Sequence, residues 1–199
     1  GMSKFLGPIH YWLYGKIQLQ DALVAEIARY ASRKGWKYDP DLVVSDLRPL
    51  DSLVDTANIH GWLQERISSS ESRYAKLVSC LVGEDAGRLA ELEQVAYSFG
   101  ERHRVQADAN CNDAYHQFDE VLLNGMPCDR VNQVVEGDGE RFVWRQTQDL
   151  HGHFWVEAGG KSQWYYQLRM RMMEGMLSGS GLKVATEEDA VFVIEKKAA

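Results

Sequence analysis

Apolar residues fall at helical spacing through residues 8–33, where Ile9, Leu13, Ile17, Val24, Ile27 and Ala28 recur. Pro8 suits the first turn of such a helix, because its missing N–H would be unpaired there anyway. "RKG" (33–35) supplies a basic last turn and a glycine stop. Residues 36–49 contain two prolines and read as a connector. Asp51 is a suitable N-cap for a second helix over 51–82, which Gly61 and the serines at 68–70 weaken. Residues 86–123 are helical again, as one helix or as two with a break near 106–110. Gly125 and Pro127 then oppose continuation.

Past residue 129 the pattern changes. Residues 130–146 hold two β-rich runs around "EGDG", and 182–196 hold two more around "TEED". Between them, 162–181 reads as a helix capped by Ser162, and 149–160 fits either a strand or a helix. This order predicts an α+β fold in a single domain, 1–199: a mainly helical bundle (8–124), then a small antiparallel hairpin–helix–hairpin region (129–199).

One phrase occurs twice. "GPIHYWLYGKI" (7–17) and "ANIHGWLQERI" (57–67) align with Ile9/Ile59, His10/His60, Trp12/Trp62, Leu13/Leu63 and Ile17/Ile67 identical. Lys16/Arg66 and Asp21/Glu71 match in charge. Such an internal repeat (9–30 and 59–80) predicts an antiparallel helix pair with pseudo-twofold symmetry. His10 would share a face with Leu13, Tyr14 and Ile17, and His60 with Leu63, Gln64 and Ile67. The two rings would then meet near the bundle axis.

Paired neutral imidazoles suit a divalent transition metal such as zinc, nickel or iron. "YHQF" (115–118) and "LHGHF" (150–154) repeat the histidine-beside-aromatic pattern, so His10, His60, His116 and His151 form a candidate first shell. Asp119, Glu120 and Asp113 stand three or four residues from His116, the spacing of helical carboxylate–histidine metal sites. Cys111 is a further candidate ligand, and His153 is one if 149–160 is a strand. A metal with an open position would support hydrolysis by activating water. The bland alternative is a duplicated packing unit, with Trp12 and Trp62 as its purpose and the histidines hydrogen-bonded to neighbours.

Net charge of −7 disfavours nucleic acid or an anionic membrane surface as partner. No apolar run is long enough to span a bilayer. No basic-then-apolar leader opens the chain, and three widely spaced cysteines suggest reduced thiols, so the expected location is cytoplasmic. Six tryptophans and nine tyrosines are enough to line a pocket. Trp12, Trp62, Tyr14 and Trp155 are the candidates. A non-catalytic ligand- or haem-binding module is therefore the alternative to a metal-dependent hydrolase. A structural dimerisation protein, in which the histidines only pack, is the third class. In "WYYQLRMRMM" (164–173), Arg169 and Arg171 would pair with an anionic ligand. A small-molecule ligand is the expected partner, with a homodimer possible.

At "FLGPIHYWLYGKI" the chain resembles a set of uncharacterised bacterial proteins that open with nearly this phrase and share stretches like "GMPCDRVN" and "LHGHFW". That resemblance covers most of the chain and implies no activity. A fainter likeness is to the DinB/YfiT-like helical bundles, whose three helix-borne histidines hold a divalent metal. It implies a metal-binding bundle.

Overall fold

The computed structural model describes residues 5–44 and 48–198; the middle of the connector lies outside them. Helix α1 (Pro8–Lys34) begins at Gly7, whose N–H donates to His10 Nδ1 at 2.9 Å, and ends at Gly35 with φ 74°. A one-turn helix, α2 (Leu50–Leu53), precedes α3 (Ile59–Glu84). The second long helix therefore starts at Asn58 rather than Asp51. Asp55 draws the Ala57 N–H onto its carboxylate (3.0 Å), and Asn58 Oδ1 accepts from Gly61 N (3.0 Å). Short polar side chains that bond nearby backbone break a helix and restart it.

Helices α4 (Arg88–Glu101) and α5 (Cys111–Val121) are separate; Asn110 and Asp113 form a reciprocal capping box at the start of α5. Strands β1 (Asn132–Gly137) and β2 (Arg141–Gln146) form the first hairpin. The ambiguous segment is helical, α6 (Gly152–Glu157). Helix α7 (Ser162–Met176) has Lys161, not Ser162, at its cap position. Strands β3 (Leu182–Glu188) and β4 (Val191–Lys196) close the chain. The two hairpins join through β2 and β4 into one antiparallel sheet, ordered β1-β2-β4-β3.

Helices α1 and α3 run parallel, which corrects the expected antiparallel pair. The Tyr14 ring lies 5.8 Å from that of Trp62, Gln20 bonds Ser70 and Glu71, and Asp21 pairs with Arg73. Partner number rises with position along α1, so matched positions of the two phrases lie side by side. The 27-residue α1 is about 40 Å long at 1.5 Å per residue. The connector covers that return, since extended chain spans it in about a dozen residues.

Two glycines set the closest helix crossing. A Cβ on Gly100 of α4 would lie 2.1 Å from the Met172 carbonyl oxygen, and one on Gly175 of α7 would lie 2.1 Å from that of Tyr97. Each helix backbone thus fits against the glycine of the other. Helix α5 lies on the sheet through Tyr115, stacked on Phe142 at 4.2 Å, and through Phe118 against Trp144. Helices and sheet share one buried core in which Tyr74, Trp155, Leu168, Phe142 and Ile194 all take part. Among the described residues no helix is long and apolar enough to cross a membrane.

Candidate functional site

Eight polar or charged side chains are buried among the described residues, and four of them, Gln20, Ser70, Glu71 and His151, gather where α1, α3 and the start of α6 meet. Gln20 Nε2 donates to Ser70 Oγ and to Glu71 Oε1, both at 3.2 Å. Glu71 Oε2 faces His151 Nδ1 at 2.8 Å, and Asn124 Oδ1 faces His151 Nε2 at 2.9 Å. The imidazole stacks on Tyr165 with centroids 4.0 Å apart. Both ring nitrogens face oxygens, an arrangement an imidazolium satisfies by donating twice; a neutral ring requires the Asn124 amide turned over. Asn124 Nδ2 reaches Asn132 Oδ1 at 3.3 Å. The chain Glu71–His151–Asn124–Asn132 thus ties α3 to the start of β1.

Asn124 and Asn132 also line a cleft of about 270 Å3 between α1, α5 and the 124–132 segment. Gly125, Met126 and Pro127 of the turn "GMPCD" line its outer side. Gly125 sits at φ 74°, where a Cβ would meet Leu150 and Asp129, and Asp129 Oδ2 accepts from Met126 N at 2.8 Å. Arg130 follows in the left-handed region at φ 48° and also lines the cleft.

Two buried cations stand at or beside this cleft, in addition to Arg130. Lys16 is 3% exposed, with Nζ 4.1 Å over the Trp12 ring and 3.7 Å from Asp119 Oδ1. Burial brings its pKa down to about 8; Asp119 and Glu120 oppose the shift, and Arg169 adds to it. Arg169 is 5% exposed. It borders a small void that shares Tyr115, Asp119, Asn124 and Asn132 with the cleft. Its Nη1 is buried with no hydrogen-bond partner, and no carboxylate of the described residues lies within ion-pair distance of it. Among the described residues, Asp119, its side chain 45% exposed, is the one carboxylate paired to either cation.

A larger concavity, about 610 Å3, lies between α1, the connector and α3 and holds Tyr14, Trp62 and several arginines. There Arg29 pairs with Glu26, Arg66 with Glu65 (3.0 Å) and Arg73 with Asp21 (2.9 Å). Each of those three cations has a carboxylate at ion-pair distance, which Arg169 lacks among the described residues.

The structure does not bring His10, His60, His116 and His151 together, and no three His, Cys, Asp or Glu side chains of the described residues are grouped to hold a metal ion. His10 turns back to cap its own helix, while His60 and His116 are exposed. His10 and His60 stand in the first turn of their helices, where a free N–H engages the His10 ring and the Asn58 side chain takes that role beside His60. His151 is buried, but its shell is a carboxylate and an amide. His153 is exposed, because α6 is a helix and the two histidines diverge. Asp119 pairs with Lys16, Glu120 accepts from Trp12 Nε1 (3.1 Å), and Asp113 serves the α5 capping box. Burial and the charges of Glu140 and Asp138 raise the pKa of Cys111, which favours the thiol over the thiolate.

Of the expected pocket aromatics, Trp12 lines the cleft, and Tyr14 and Trp62 line the larger concavity. Trp155 is a correction: it is fully buried in the core against Tyr74, ring centroids 5.1 Å apart. Arg169 and Arg171 separate, since Arg171 pairs with Glu174 (3.0 Å) and lies over the Tyr97 ring. In the sequence, Lys16 and Glu71 stand out only as charge matches within the repeat, and Asn124 and Asn132 do not stand out as site residues. Lys16 carried a signal nonetheless, as a charge between Leu13 and Gln20 on the buried stripe. No known family, curated protein or solved structure matches this chain.

Proposed function

We propose that this chain binds a small anionic molecule, a carboxylate or a phosphate, in the cleft lined by Lys16, Asn124 and Asn132, with Arg169 at the small void that adjoins it. The observation that carries this reading is the Arg169 guanidinium, buried with an unpartnered Nη1 beside a second buried cation. An uncompensated buried charge costs several kcal/mol, and an arriving anion offsets that cost. A guanidinium recognises carboxylate or phosphate through two parallel N–H···O bonds. Trp12 and Tyr115 add apolar walls. The reading develops the expectation of a ligand-binding module with an aromatic pocket, and of Arg169 as an anion partner.

A thermal-shift screen at constant ionic strength tests it, using acetate, succinate, pyruvate and phosphate against chloride. At least one of these raises the unfolding temperature of the wild type, and the rise is lost in Arg169→Gln. The carboxylate and phosphate arms separate the two sources of negative charge. An unchanged response in Arg169→Gln, or no response from any anion, overturns the proposal.

A further inference from the structure

The cleft holds a group that simple anion binding does not require. A site that only neutralised charge would be best served by a second arginine or an exposed lysine. Instead Lys16 is a dehydrated amine at the cleft wall, fixed over Trp12, with a carboxylate 3.7 Å from its nitrogen. A lysine removed from water and set near another cation keeps a larger neutral fraction, and the neutral amine is the nucleophile. We infer that Lys16 forms an imine with a short-chain oxo acid whose carboxylate is held by Arg169.

This inference rests on the anion-binding reading, because Arg169 supplies the carboxylate anchor. The neutral Lys16 nitrogen attacks the carbonyl carbon, forming a C–N bond as the carbonyl π electrons move to oxygen. A proton leaves nitrogen and one reaches that oxygen, giving a carbinolamine. The C–O bond then breaks, oxygen departs as water, and nitrogen gives up its second proton to complete the C=N bond. Asp119 is placed to take protons from nitrogen and return them to the departing oxygen. The sum is amine plus carbonyl giving imine plus water, with no oxidant or reductant. The pKa of Lys16, brought down to about 8 by burial, supports the step.

The charges acting on the Lys16 ammonium come from α5, as Asp119 and Glu120, and from α7, as Arg169; Arg130 stands at the cleft's outer wall. Two pH trends should oppose each other. Imine formation rises as pH approaches and passes about 8, whereas anion affinity falls as the ammonium discharges.

The test is reductive trapping on the full chain with pyruvate or acetoacetate and cyanoborohydride, read by intact mass and peptide mapping. The expected product is one adduct, the oxo acid less one oxygen, on Lys16. Acetone, which lacks the carboxylate, should label Lys16 at least about tenfold less. Lys16→Arg keeps the positive charge but has no amine that can form the adduct, so labelling at position 16 should be lost. Labelling spread over surface lysines, and equal in wild type and Lys16→Arg, overturns the imine. If pyruvate binds by calorimetry without labelling Lys16, the imine falls and anion binding stands. If it neither binds nor labels, both fall.

Discussion

Lys16 and Arg169 are two cations taken out of water, with one half-exposed carboxylate at ion-pair distance from the first. Residues chosen for stability alone would be apolar at both positions, because Lys16 shares its stripe with Leu13 and Ile17, and Arg169 shares its own with Tyr165, Met172 and Met173. The Lys16 ammonium has a measurable consequence. Below pH 8 both the folded and the unfolded chain hold its proton, and the burial cost is constant. Between about 8 and 10.5 the unfolded chain keeps a proton the folded chain has released, so stability rises with pH through that window. The rise is at most about 3 kcal/mol. Lys16→Met should lack it and be more stable than the wild type at pH 7 by about 1–3 kcal/mol. Urea unfolding of both proteins at pH 7 and pH 10 checks this. A stability difference that does not change with pH would show that the ammonium is not dehydrated.

At the scale of elements, the cleft depends on how α7 is seated. Gly100 and Gly175 each accept the other helix's backbone, which fixes the height of Arg169 relative to α1 and α5. Gly100→Ala or Gly175→Ala forces a Cβ onto a carbonyl that cannot rotate away, so either should destabilise the fold by about 1–3 kcal/mol or more. Either should also weaken anion binding, although neither residue lines the cleft. Chemical denaturation followed by binding at a temperature where the variant is folded separates the two effects. Native stability in either variant would place the helices further apart than the crossing requires. On the opposite side, Glu71, His151 and Asn124 hold the cleft wall from behind. The matched phrases of α1 and α3 contribute through Gln20, Ser70 and Glu71, whose bonds become possible because the helices run parallel.

For the whole molecule, the sequence disclosed elements better than it disclosed their assembly. The helical stripe from Ile9 to Ala28, the turn at "EGDG" and the stop at Gly125–Pro127 are local signals, and each appears in the fold. The direction of α3 relative to α1 is not local: it depends on a connector whose path no periodicity records. The histidines of the repeated phrase are set apart for a related reason. His10 and His60 occupy first-turn positions, where backbone N–H groups and solvent compete with the core for the ring. The informative residues were charges on apolar stripes. Arg169 was legible as an anion partner, but Lys16 was visible only as half of a charge match with Arg66, and its burial follows from packing against α5. Asn124 reads as a turn residue and Asn132 as part of a β-rich run, and neither gives a sign of lining a cleft.

The most direct test is calorimetric titration of the wild type, Arg169→Lys and Arg169→Gln with the most stabilising anion of the screen, at pH 7 and low salt. A buried anion site predicts one anion per chain and affinities ordered wild type, then lysine, then glutamine. The glutamine variant should lose at least about tenfold, or about 1.4 kcal/mol. Equal affinity in all three proteins, or no binding to the wild type, would contradict the cleft as an anion site.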